Sequence, residues 1–205
     1  MTTNQSNKTA ITSVPIDQNI ATRWSPRAFD PDATVDQNQI VSLLEAARWA
    51  PSCFGDEPWR FIVLDRAGDP ERWQNGFDCL MEGNQIWVKN APVIIIVVAS
   101  SNFRHNGKPN RWAQYDTGAA AMNLCLQATA LGLVSHQMGG FRAAELKESF
   151  SIPDGFETMA MIALGKPGDV SLLPPELQEK EEADRTRLQL EDIAFHGHWG
   201  RTQDG

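Results

Sequence analysis

Val93-Ile94-Ile95-Ile96-Val97-Val98 is an unbroken β-branched run in the middle of the chain. Branching at Cβ favours extended backbone, and a run without polar alternation predicts a strand that is apolar on both faces. Such a sheet must be covered by helices on either side, and the flanking sequence supplies them. Upstream, Ile40, Leu43, Leu44 and Ala47 repeat at helical spacing, which predicts a helix from Asp36, its N-cap, to Trp49. Pro51 ends it, because the residue before a proline is pushed out of the helical region. Phe61 to Leu64 reads as a second strand, and Pro70 to Glu82 as a helix with Trp73, Phe77 and Leu80 on one face. Downstream, Asp116 to Leu133 is an Ala-rich helix, apolar or small nearly all round, so it is central in the core or packed on a partner helix. Val134 to Met138 and Thr158 to Leu164 are further strands, with a short helix from Ala143 to Phe150 between them.

The 205 residues allow one sizeable core with extensions. Residues 1–15 are polar and are expected to form a poorly ordered leader; residues 16–171 form the body. Residues 172–205 form an arm, too polar to fold alone, that packs on the body or on a second copy. A net charge of -8 and a pI near 5.0 argue against nucleic acid and anionic membrane as partners. Ala91 to Ala99, the longest apolar run, is too short to span a bilayer, and the first residues have no apolar segment resembling a signal peptide. Cys53, Cys79 and Cys125 are scattered and odd in number, as expected of reduced thiols in a cytoplasmic protein.

Two Arg pairs stand out against that acidic background. Arg23-Trp24-Ser25-Pro26-Arg27-Ala28-Phe29 puts two guanidinium groups and a hydroxyl within five residues, and Pro26 keeps helix out. Arg185 and Arg187, two apart, fall on one side of an extended segment. Several charge-assisted donors suit a phosphate monoester. The competing reading pairs Arg23 and Arg27 with local acids such as Asp30 and Asp32. His196-Gly197-His198 lacks a third ligand, so no metal site is expected. No Gly-x-Gly-x-x-Gly follows a strand, and no nucleophile elbow is present.

These pieces together resemble the FMN-dependent nitroreductases. Arg23-Trp24-Ser25-Pro26-Arg27-Ala28-Phe29 is similar to that family's Arg-x-Ser-x-Arg-x-Phe signature. Ala50-Pro51-Ser52-Cys53-Phe54-Gly55-Asp56-Glu57-Pro58-Trp59-Arg60-Phe61 resembles its Ala-Pro-Ser-x-x-Asn-x-Gln-Pro-Trp-x-Phe loop. The Gly-Gly-Phe turn at 139–141, Ala163-Leu164-Gly165-Lys166-Pro167 and Arg185-Thr186-Arg187 follow in the family's order. The resemblance implies an α+β three-layer sandwich, a mainly antiparallel sheet between helices, in an intertwined homodimer with FMN at the subunit interface.

It also implies roles. Arg23, Trp24, Ser25, Arg27, Arg185 and Arg187 would hold the phosphate end of FMN, and Pro51, Ser52 and Cys53 would flank the partner's flavin. Gly139 and Gly140 would bring main-chain N–H groups to the ring. Phe54, Asn84, Trp112 and Phe141 would line the substrate face. The implied activity is ping-pong reduction of a small nitroaromatic or quinone-like acceptor by NADH or NADPH. Gly55 and Glu57 stand where the family has Asn and Gln. That departure motivates two alternatives, an FMN-binding module without nicotinamide-driven turnover and a flavin-free interaction homodimer. Asp56 and Glu57 further suggest an acidic wall that selects cationic substrates.

Overall fold

The computed structural model describes residues 8–202. Four strands form the sheet: β1 (Trp59–Asp65), β2 (Val93–Ser100), β3 (Val134–Met138) and β4 (Phe156–Gly165). Their order is β1-β2-β4-β3, and every neighbouring pair is antiparallel. The Val93–Val98 run is therefore buried by helices above and below, without parallel strands. Ile94, Ile96 and Val98 enter one core with Leu64, Met161 and Ala163. Val93, Ile95 and Val97 enter a second with Ile162 and Leu164. Period-two alternation sends neighbouring side chains to opposite cores, and each buried Val or Ile contributes roughly 1.5–3 kcal/mol.

Helices α2 (Gln37–Arg48) and α5 (Ala113–Ala130) cover the second core. Asp36 and Gln39 close a reciprocal capping box at the start of α2. Ala120, Ala121 and Ala128 are buried on α5 beside Ile40, Leu43 and Ala47 of α2, so small side chains let the two backbones approach. The opposite side of α5 is open, with Tyr115 77% and Met122 42% exposed.

The first core is covered by α3 (Pro70–Asp78), α4 (Glu82–Val88) and α6 (Ala143–Ser149), through Trp73, Trp87 and Leu146. Here the single helix expected from Pro70 to Glu82 is corrected. It stops at Asp78 because the next residues pair with the 139–142 turn. Arg142 N–H donates to Cys79 O at 2.8 Å and Met81 N–H to Gly140 O at 2.9 Å, and Leu80 bridges Phe141. Tertiary pairing overrides the helical spacing, and α4 begins afresh.

Helix α1 (Gln18–Thr22) delivers the chain to Arg23, while α7 (Pro175–Glu182) and α8 (Leu190–Ile193) belong to the arm. The first part of the arm is fastened to the body through buried Leu173 and Glu181. Beyond it, Leu188, Leu190, Ile193 and Trp199 are more than half exposed. Of the expected leader, residues 1–7 lie outside the described residues. Buried Lys8 donates through Nζ to Ala183 O, and Ala10 N–H donates to Ala21 O at 2.9 Å. No helix among the described residues is long and apolar enough to cross a membrane.

Candidate functional site

The stretch 23–29 leaves α1 in extended conformation and is pinned from below. Phe29 is fully buried, stacks on Trp87 at 6.1 Å and bridges Pro167. Gly168 N–H donates to Ala28 O at 2.9 Å. A Cβ at Gly168 would lie 2.3 Å from the Phe29 carbonyl carbon, so only glycine allows this approach. His136 of β3 sits 4.5 Å from the Trp87 ring, with Nδ1 3.0 Å from Pro26 O. Burial is the main cause that lowers the pKa of His136 to about 4, with the Arg27 and Arg23 charges adding to it. A neutral imidazole donating from Nδ1 thus supports the Arg stretch.

Above this floor the arginines divide. Arg27 is engaged by buried Glu181, whose Oε2 accepts the Arg27 backbone N–H at 3.0 Å and whose Oε1 accepts Nη1 at 3.2 Å. The ion pair weighed for Arg27 exists, but with the arm rather than with Asp30 or Asp32. Arg23 points Nη1 to Ser25 Oγ at 3.4 Å. Arg185 donates from Nη1 to Ala21 O at 3.0 Å and to Lys8 O at 2.5 Å. Burial, then the charges of Arg23 and Arg187, push the Arg185 guanidinium below its usual range. Arg23, Arg185 and Arg187 are therefore neighbours within one chain, and among the described residues none has a carboxylate partner. Beside them Arg23 and Trp24 line a cleft of about 210 Å³ with Thr129, Gly132 and Val134.

Strand β3 leaves that cleft at Val134 and ends at Met138, so that Gly139 lies roughly 16 Å away. Gly139 is exposed. Gly140 O accepts from Met81 N–H and, at 3.0 Å, from Asn84 Nδ2. Asn84 thus braces the glycine turn, and Phe141 packs partly buried on the first core. Trp112 is 42% exposed beneath the Arg111 guanidinium at 4.6 Å.

The Pro51–Glu57 loop lies elsewhere. Cys53 N–H donates to Asp116 Oδ2 at 2.9 Å, at the N-terminal end of α5. Thr129 and Gly132, at the other end of α5, line the Arg23 cleft. The rise per helical residue puts Asp116 and Thr129 roughly 20 Å apart. Pro51, Ser52, Cys53 and Phe54 therefore do not join the arginines within one chain.

The Nitroreductase family model matches residues 20–75 and 69–166. The chain belongs to the nitroreductase family. A Mycolicibacterium smegmatis protein, an uncharacterized 15.4 kDa protein in the ask 5' region, is 34% identical over 147 residues, covering 69% of this chain and 97% of its own. A Methanothermobacter thermautotrophicus protein provisionally named an NADH dehydrogenase/NAD(P)H nitroreductase is 30% identical over 174 residues, covering 83% of this chain and 84% of its own. Among solved structures, an oxidoreductase containing FMN superposes with a TM-score of 0.88 at 38% identity, over 96% of this chain and 98% of that one. A provisionally described nitroreductase in complex with FMN from Desulfovibrio desulfuricans gives 0.71 at 26% identity, over 92% and 99%.

Against the nitroreductase pattern, several working residues carry no signal in the sequence. Glu181 lies in a charged helix that reads as solvent-facing, yet it is 1% exposed. Asp116 reads as the start of a helix but serves Cys53. Asp56 is 5% exposed and accepts Arg104 N–H at 2.8 Å, with His105 Nδ1 at 3.6 Å. The acidic wall is thereby reduced to Glu57. Among the described residues no group of three or more His, Cys, Asp or Glu is arranged to hold a metal ion.

Proposed function

We propose that this nitroreductase is an FMN-dependent oxidoreductase that takes reducing equivalents from NADH or NADPH and passes them, in a ping-pong cycle, to a small nitroaromatic or quinone-like acceptor. The cofactor is FMN, and its isoalloxazine supplies the redox chemistry when bound. Arg23, Ser25, Arg185 and Arg187 grip the phosphate, with Trp24 at the cleft wall. Arg27 contributes through Glu181, which locks the arm beside the phosphate end. Main-chain N–H groups of Gly139 and Gly140 face the ring, and Asn84 keeps that turn in place. The observation that carries this reading is the Arg185 guanidinium held at Ala21 O, beside Arg23 and followed by Arg187, with no carboxylate partner on any of the three among the described residues. In a chain of net charge -8, such a cluster calls for an anion.

The protein works as a homodimer in the cytoplasm, where its three free cysteines stay reduced. Two observations favour the dimer: the Pro51–Cys53 loop lies roughly 20 Å along α5 from its own arginine cleft, and Tyr115, Met122, Ile193 and Trp199 are exposed. A second copy completes the site by lending its loop. Purified protein should be yellow, elute as a dimer and bleach on NADH or NADPH under argon. A colourless protein that binds no added FMN would refute the assignment. The second reading, a flavin module without nicotinamide turnover, is favoured by Gly55, which has no side chain to offer the flavin. It expects colour that survives both nicotinamides and yields to dithionite.

A further inference from the structure

The loop that reaches away from the arginine cleft holds an expensive conformation. Phe54 and Glu57 adopt φ of 56° and 51°, and Gly55 lies between them at 63°. A left-handed bulky residue costs about 1–2 kcal/mol. Phe54 is also 83% exposed and belongs to neither core, so folding recovers little of that cost. The surroundings nevertheless enforce it: Asp116 takes Cys53 N–H, Ser52 Oγ takes Glu57 N–H at 3.0 Å, and buried Asp56 takes Arg104 N–H. Phe54 meets Phe103 at 5.9 Å and His105 at 5.7 Å, and Phe103 meets His105 at 5.2 Å. The result is an aromatic ledge with Phe54 at its open edge.

The charges beside the ledge are positive. From Ser101 to Tyr115 the chain carries Arg104, His105, Lys108 and Arg111 and no acid. Phe103 N–H donates to Lys108 O at 2.8 Å, which folds the Lys108 backbone back beside that of Phe103. Arg104 and Lys108 are exposed, and among the described residues neither has an ion-pair partner. Asp56 turns its charge inside the loop, where it faces Arg104 N–H and His105, and the exposed Glu57 is the one acid of the loop left against these cations.

We propose that Phe54 and Phe103, rimmed by Arg104, His105 and Lys108, seat a planar aromatic anion, and that the acceptor is a nitroaromatic or quinone-like ring carrying such an anionic group: the nitro or quinone group takes the two electrons from reduced FMN, and the carboxylate serves only for binding. This reverses the cationic preference suggested by the sequence of the loop. Only the ligand's role as acceptor rests on the proposed function; its binding does not. The test is calorimetric titration of the protein as isolated with 2-naphthoate, 2-naphthalenemethanol and naphthalen-2-ylmethylammonium, which differ in charge on one ring system. Naphthoate should bind about tenfold tighter than the alcohol, with the ammonium weakest. The Arg104→Glu, Lys108→Glu double variant, changed only at exposed positions, should invert that order, and Phe54→Ala should weaken all three. Equal affinities, a preference for the ammonium, or an order unchanged in the double variant would overturn the proposal. FMN content, measured on the same samples, reads the flavoprotein assignment separately.

Discussion

The two ends of α5 solve opposite problems. At its C-terminal end, Arg23, Arg185 and Arg187 lie together with carbonyl and hydroxyl partners and, among the described residues, no carboxylate. At its N-terminal end, buried Asp56 and Asp116 each accept a backbone N–H and hold a loop with a left-handed Phe. One end is electrostatically incomplete; the other has both its buried carboxylates hydrogen-bonded and is strained in its backbone. An incomplete site gains from a ligand, whereas a strained loop held by buried carboxylates is already shaped. In the proposed function, the difference separates a place that grips from a place that presents.

Breaking the gripping end should have the largest effect, and it should fall on binding. Each charge-assisted contact is worth about 1.5–3 kcal/mol, so Arg23→Ala with Arg187→Ala should weaken FMN at least ~100-fold in a fluorescence titration. The melting temperature of the ligand-free protein should hold or rise, since like charges are removed. A large loss of stability instead would make these arginines structural.

The floor beneath that end is sensitive to acid. His136 has a folded-state pKa of about 4, below its ordinary value of 6.5. Between those values the unfolded chain binds a proton that the folded chain refuses. Stability from this group is therefore complete above about pH 6.5 and is lost as pH falls toward 4, by about 3 kcal/mol in all. The urea midpoint should fall further between pH 7 and pH 4.5 for the native protein than for His136→Gln.

At the presenting end, Asp56→Asn keeps an acceptor for Arg104 N–H but removes the charge. It should cost about 1–2 kcal/mol in urea melts and leave FMN affinity unaltered. The smallest effect is expected from Phe54→Gly, which relieves the left-handed strain and should stabilise by about 1 kcal/mol or less. A stabilised Phe54→Gly protein with poorer acceptor binding would sharpen the contrast between the ends. A destabilised one would show that the ring serves packing.

Local chemistry made much of the molecule legible. Val93–Val98 announced a strand buried on both faces because β-branching and the lack of alternation are properties of the run itself. Asp36 and the spacing of Ile40, Leu43 and Ala47 located α2, since caps and periodicity act within a few residues. The Arg-x-Ser-x-Arg stretch pointed to the proposed phosphate grip because five adjacent residues carry the donors, although Arg27 is taken by Glu181.

Other features needed the tertiary structure. The break between α3 and α4 comes from pairing with residues about sixty positions later in sequence. Glu181 became Arg27's partner only when the arm folded back across a separation of 154 residues. Asp56, next to Glu57, reads as exposed acid, and burial together with one distant N–H decides otherwise. Short-range preference can be read along a chain; long-range partners, and the burial that gives a charge its meaning, are settled only when distant segments meet.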